Sequence, residues 1–183
     1  MNEDRIPLIT VEQFMRLSRP TSIHLDDEEV KAYIREAEDI YIIPFIGYAT
    51  LKAITSNERP QHMDESFAID ILANGGEWTE IIAECKGDTV EEIHYCNGIR
   101  KAAAYYTYAK MIRADGSILS RAGAMRHRDE YSDHVDDSKL KQYNDAMSIA
   151  ERYLSESIAY MNAHSMQKKK ARGTRAHIHA IGD

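Results

Sequence analysis

Histidine, cysteine and acidic residues are the side chains of this sequence that could carry metal or acid–base chemistry. The 183 residues include 8 histidines and 2 cysteines, Cys85 and Cys96, without a Cys-x-x-Cys pair. One Glu-x-x-His half-motif, Glu91 to His94, matches part of a di-iron helical bundle. That site needs a second such pair, which the sequence lacks. We therefore expect no metal, no cofactor and two reduced thiols.

Motifs of nucleophilic catalysis and phosphate binding are also missing from the sequence. It has no His-Glu-x-x-His, no Gly-x-Ser-x-Gly and no glycine-rich phosphate loop, and Gly75, Gly76 and Gly116 are placed as turn glycines. His177 and His179 could supply two metal ligands, which make only a weak site. The sequence therefore predicts a protein that is not an enzyme.

Charge is distributed unevenly along the chain. The net charge is −7, but residues 166–183 carry five basic residues and one acid, which leaves −11 on residues 1–165. A basic tail on an acidic body is predicted to bind an anionic partner, either an acidic protein surface or nucleic acid. The alternative is a solvated terminus without a partner. The predicted contact residues of this tail are Lys168, Lys169, Lys170, Arg172, Arg175, His177, Ile178 and His179.

The composition is that of a globular protein without a membrane segment. Hydrophobic residues make up 43% and charged residues 29% of the chain. The longest uncharged stretch, Ile40–Leu51, has 12 residues, whereas a membrane span needs roughly 20. The first five residues lack the features of a secretory signal, so we expect assembly in a reducing cytosol.

Helix signals predict an all-α bundle of five to six helices in residues 1–164, followed by an extended tail in residues 165–183. The Thr10 to Gln13 segment has the pattern of a capping box at a helix start. Pro44 can begin a new helix, and Gly47 permits a tight exit from the turn before it. The predicted helices run to about Leu17, over about Asp27–Ile43, through Tyr48–Ile54, over a central stretch of about Val90–Ala114, and over about Asp137–His164.

The segment from Asp115 to Asp137 is predicted to be a long irregular loop with segregated charge. Residues Gly116–Arg128 have arginines without acids, and residues Asp129–Asp137 have acids without Lys or Arg. Unlike surfaces of this kind can join neighbouring subunits head to tail, and an intrachain salt-bridged loop is the alternative. The predicted interface residues are Arg121, Arg126, Arg128, Asp129, Glu130 and Asp133.

Tyrosine outnumbers phenylalanine, 11 to 3. A tyrosine hydroxyl needs a polar partner when it is covered, so this excess favours half-buried positions and subunit interfaces over a dry core.

Three segments together resemble the head–tail connector proteins of tailed bacteriophages, also called adaptor or head-completion proteins. They are the Pro-x-x-Gly turn within Ala37–Leu51, the alanine- and tyrosine-rich Ile99–Ala109, and the glycine-containing Ile118–Met125 before a final helix. The resemblance extends in order and spacing from Ile9 to Met161 and is strongest to phages of Bacteroides-like gut bacteria.

The resemblance implies a helical subunit that forms a ring, expected to have twelve copies, on the portal vertex after DNA packaging. It also implies a virion location in the neck, assembly in the host cytoplasm, and contacts with the portal protein, with the next tail or ring component and with packaged DNA. A nucleic-acid-binding helical protein that uses its basic tail is the alternative function.

Overall fold

A computed structural model describes the backbone of residues 5–20, 26–85, 88–114, 117–120, 123–126 and 135–165. Side chains are described at residues 5–20, 26–80, 91–114 and 139–165.

The N-terminal half folds into short helices whose starts follow the predicted signals. Thr10 and Gln13 form the predicted capping box at the start of the first helix. Asp26 caps the second helix, where its carboxylate accepts from the Glu28 N–H at 2.8 Å. The helices are α1 (Val11–Leu17), α2 (Asp27–Ala37), a π-helical turn (Glu38–Ile42), α3 (Ile43–Ile46), α4 (Tyr48–Ser56) and α5 (Ile69–Asn74).

An antiparallel hairpin, β1 (Gly76–Cys85) and β2 (Asp88–Cys96), follows α5. The prediction of a mostly helical fold is confirmed, whereas the expectations of a helix from Val90 and of a purely all-α fold were wrong, because antiparallel strands are also present. Alternating side chains along residues 77–80 and 91–96, together with glycines at the base, favour strands. A Cβ at Gly98 would lie 2.4 Å from the Gly75 nitrogen, so the hairpin base requires glycine there.

The C-terminal half contains the two long helices, α6 (Ile99–Ala114) and α7 (Val135–Ala163), which pack along each other. The predicted long final helix is confirmed within two residues at its start. Between them the chain forms a small antiparallel hairpin, β3 (Ser117–Ser120) and β4 (Gly123–Arg126), so the expectation of a wholly irregular loop was wrong.

The core lies where α6 meets the other elements. Its alanines at 102, 103 and 104 are fully buried, which lets α2 and α7 approach closely. Tyr41 of the π-turn stacks on Tyr106 with ring centroids 4.6 Å apart. The core therefore positions the π-turn and also α7, against which β2 of the hairpin packs.

Candidate functional site

The exit from α2 is a backbone feature that the sequence indicated only in part. The predicted helix to Ile43 instead stops at Ala37 and continues as the five-residue π-turn. Pro44 lies in the first turn of α3, and Gly47 ends it with φ 77° and ψ 153°. Only glycine adopts this conformation without strain. A Cβ at Gly47 would meet nothing within 4 Å, so its requirement there is conformational.

Apolar side chains are exposed around this exit. Phe45 is 62% exposed, Tyr48 54% and Ile40 46%. Pro44 is exposed beside them. We call Ile40, Pro44, Phe45 and Tyr48 the turn patch. Large apolar groups that are exposed together mark interaction sites more often than chance surface positions do.

The π-turn that carries Ile40 also carries a buried carboxylate, Glu38. Its Oε1 accepts from the Leu8 N–H at 2.6 Å, and its Oε2 accepts from Arg5 Nη2 at 2.8 Å. Arg5 also pairs with Asp39. Burial raises the pKa of Glu38 from 4.5 to about 7, although the Leu8 N–H and the Arg5 charge oppose that rise. The hydrogen bonds from Arg5 and Leu8 to Glu38 hold the N-terminal segment against the π-turn.

The β1–β2 hairpin has one packed face and one exposed face. On the packed face, Trp78 stacks on His94 with centroids 4.6 Å apart and meets Tyr160 of α7 edge-on at 5.5 Å. On the other face Ile93 is 73% and Tyr95 56% exposed. We call this second surface the outer hairpin face, and its exposed members are Glu77, Thr79, Glu91, Ile93 and Tyr95.

Three side chains at the hairpin base have the residue types of a catalytic triad but not its geometry. Ser66 Oγ lies 3.0 Å and Asp64 Oδ1 3.2 Å from the same nitrogen, Nδ1 of His164. Ser66 Oγ also donates to Asp64 at 2.7 Å. A triad needs the serine and the acid on different ring nitrogens. This cluster instead joins the 64–66 loop to the end of α7, where the Asp64 N–H also donates to the His164 carbonyl.

The residues considered for metal and thiol chemistry are separated by the fold. Glu91 and His94 lie on opposite faces of β2 because strand side chains alternate. Within the described ranges, no three His, Cys, Asp or Glu side chains could hold a metal ion. Cys96 is fully buried, and burial raises the pKa of its thiol.

None of the described helices is long and apolar enough to cross a bilayer.

Most tyrosines take the half-buried positions that their number suggested. Tyr105 and Tyr153 meet edge-on at 5.7 Å between α6 and α7. Tyr106 and Tyr160 are buried, and Tyr48 and Tyr95 belong to the two exposed apolar surfaces. The half-buried tyrosines are Tyr33, Tyr41, Tyr105, Tyr108, Tyr143 and Tyr153.

Some of the predicted contact residues lie in the described parts of the chain, and the others lie outside them. Pro44 and Gly47 lie at the turn patch. The backbone of Arg126 pairs with Ser117 in the β3–β4 hairpin. The other predicted residues, with the Arg126 side chain, fall outside the described parts: Arg121, Arg128, Asp129, Glu130, Asp133, Lys168, Lys169, Lys170, Arg172, Arg175, His177, Ile178 and His179.

Sequence reasoning did not find the outer hairpin face. The signal was present in the alternation of Glu91, Ile93 and Tyr95 with Glu92, His94 and Cys96, which has the period of a strand.

More than half of the chain matches a known protein family. A family model described as a family of unknown function (DUF6712) matches residues 42–168, from the end of the π-turn through α7. No curated protein and no solved structure matches the chain.

Proposed function

The chain belongs to the DUF6712 family, and we propose that it is a non-enzymatic virion protein that forms a ring at the portal vertex of a tailed phage. The ring would connect the head to the tail and extend the DNA channel. The observation that carries this proposal is the pair of exposed apolar surfaces, the turn patch and the outer hairpin face. They lie on different elements of one chain.

Two unlike surfaces on one subunit suit a ring. Contacts between different patches repeat head to tail from copy to copy, and they close when the rotation between copies divides a full turn. The turn patch is supported by α2 and α6, whereas the hairpin packs on α5 and α7. Twelve copies are the number that the connector resemblance implies.

Charge supports a channel-forming role over a DNA-wrapping one. The body of residues 1–165 carries −11, and an acidic wall repels the phosphates of a passing duplex. The basic tail, residues 166–183, would attract an acidic portal surface or touch packaged DNA. The other end of the ring would receive the next tail or ring component.

Nucleic-acid binding by the tail is the second candidate function. The observation that favours it is the run of five basic residues, Lys168, Lys169, Lys170, Arg172 and Arg175, within eight positions. Each phosphate contact would add about −0.9 to the slope of log affinity against log salt on duplex DNA.

Electron microscopy with the portal protein of the same genome tests the ring proposal. The full chain is imaged alone and mixed with the portal, beside a chain that lacks residues 166–183. We expect rings stacked on the portal for the full chain and lost docking for the truncated one. A full chain that remains monomeric at all concentrations and leaves the portal bare would overturn the proposal. Salt-dependent duplex binding without portal binding would favour the second candidate.

A further inference from the structure

We propose that the turn patch of one copy binds the outer hairpin face of the next copy, with Lys52 of α4 facing Glu91 of β2. This inference rests on the ring proposal and names its contact. Its occupant is a second copy of this chain.

The first argument is that both surfaces are apolar and exposed to solvent. The turn patch presents aromatic and aliphatic side chains on helical backbone, and the outer hairpin face presents Ile93 and Tyr95 on extended backbone. Both surfaces are exposed within the described structure, so burying them together would remove large apolar side chains from water in both copies.

Charge at the edge of each surface supports the same pairing. Lys52 is exposed and is the only charged residue of α4. Glu91 is exposed next to Ile93 on the same face of β2. Neither Lys52 nor Glu91 forms an ion pair with another residue that the structure describes. Opposite charges at the rim of an apolar contact fix its register.

Spacing allows the apolar and charged pairs to form at once. Tyr48 and Lys52 are four residues apart on one helix face, which separates their Cα atoms by about 6 Å along the axis. Ile93 and Glu91 are two residues apart on one strand face, about 6.7 Å. When Tyr48 of one copy lies on Ile93 of the next and α4 runs antiparallel to β2, Lys52 therefore meets Glu91.

Charge reversal in both directions tests the contact. The variants are Lys52→Glu, Glu91→Lys and the chain that carries both, with Lys141→Glu and Glu65→Lys as matched reversals at other exposed positions. Each single reversal should raise the concentration for half-maximal assembly about tenfold, because it places two like charges opposite each other at every interface. The double variant should return to within about threefold of wild type. Circular dichroism confirms that all variants are folded.

The outcomes separate the contact from the ring itself. If wild type assembles but the single reversals behave as their matched controls, or the double variant is not rescued, the proposed contact is wrong and the ring proposal stands. If wild type assembles neither alone nor on the portal, the ring proposal fails.

Crosslinking then tests the contact by itself. A Tyr48→Cys chain is mixed with an Ile93→Cys chain under oxidation. Both chains carry Cys85→Ser to remove the other thiol, and Cys96 is kept because it is buried. A disulfide-linked pair that exceeds the Leu140→Cys and Ile93→Cys mixture supports the contact. An equal yield overturns it.

Discussion

The β1–β2 hairpin and the π-turn both present apolar side chains to solvent, but the body of the protein supports them differently. The hairpin is held by side-chain packing, since Trp78 contacts both His94 and Tyr160. The π-turn is held by a buried carboxylate and by backbone conformation at Glu38 and Gly47. The hairpin should therefore respond to lost volume, whereas the π-turn should respond to pH and to backbone strain.

The largest expected effect comes from removing the packed side of the hairpin. Trp78→Ala should lower the free energy of unfolding by about 3 to 5 kcal/mol, because it leaves a cavity between β2 and α7. Urea denaturation measures the change. The adjacent Glu77→Ala removes an exposed side chain of the outer face and should change stability by less than about 0.5 kcal/mol. Equal losses of unfolding free energy in the two variants would refute the idea that side-chain packing holds the hairpin.

The buried carboxylate of the π-turn should make stability depend on pH. Because the pKa of Glu38 is about 7 in the folded chain and 4.5 is its ordinary value, the folded state binds the proton more tightly. The contribution of Glu38 to stability is therefore complete below about pH 4.5 and is lost as pH rises through about 7. The loss should be at most about 3 kcal/mol.

Chemical denaturation across this pH range, on wild type and Glu38→Gln, measures the effect. The glutamine variant should lose the slope, while Asp39→Asn at the neighbouring exposed carboxylate should keep it. A slope that persists unchanged in Glu38→Gln would assign the pH dependence to other groups.

Backbone strain at Gly47 should have a smaller effect. Gly47→Val should lower the free energy of unfolding by about 1 to 3 kcal/mol, because valine is strained at φ 77° even though the space is open. Thermal denaturation measures the loss. Ala49→Val places the same side chain at an exposed position of α4 and provides the helix-propensity control. A midpoint for Gly47→Val at or above that of Ala49→Val would contradict the strain argument.

The smallest effect on stability is expected from removing the hydroxyl of Tyr160, whose ring packs on Trp78 of the hairpin. The Tyr160 hydroxyl accepts from the Ala68 N–H at 2.7 Å and donates to the Ala68 carbonyl at 3.2 Å. Tyr160→Phe should cost about 1 kcal/mol because the Ala68 backbone groups lose this partner. In urea denaturation Tyr153→Phe, which keeps the edge-on contact with Tyr105, should be near neutral. A neutral Tyr160→Phe would show that ring packing alone holds this site.

Local signals in the sequence predicted the helices well because the interactions that begin and end them span only a few residues. The Thr10 capping box, the start of α4 after Gly47 and the extent of α7 follow from neighbouring residues. The hairpin was missed because residues 90–96 satisfy a helical pattern and a strand pattern. Pairing of residues 91–96 with residues 76–81, which sets Trp78 opposite His94, decided between the two patterns.

The sequence by itself determined the starts of the N-terminal helices, the extent of α7, the charge asymmetry and the Pro44–Gly47 turn, because each depends on residues close together in the chain. Only the tertiary structure decided that Glu38 is buried, since its partners Leu8 and Arg5 are 30 and 33 residues away. It likewise decided which face of the hairpin is exposed, because Tyr160 of α7 covers Trp78 on the other face. Burial depends on which distant segments of the chain contact each other, and short-range sequence patterns do not specify those contacts.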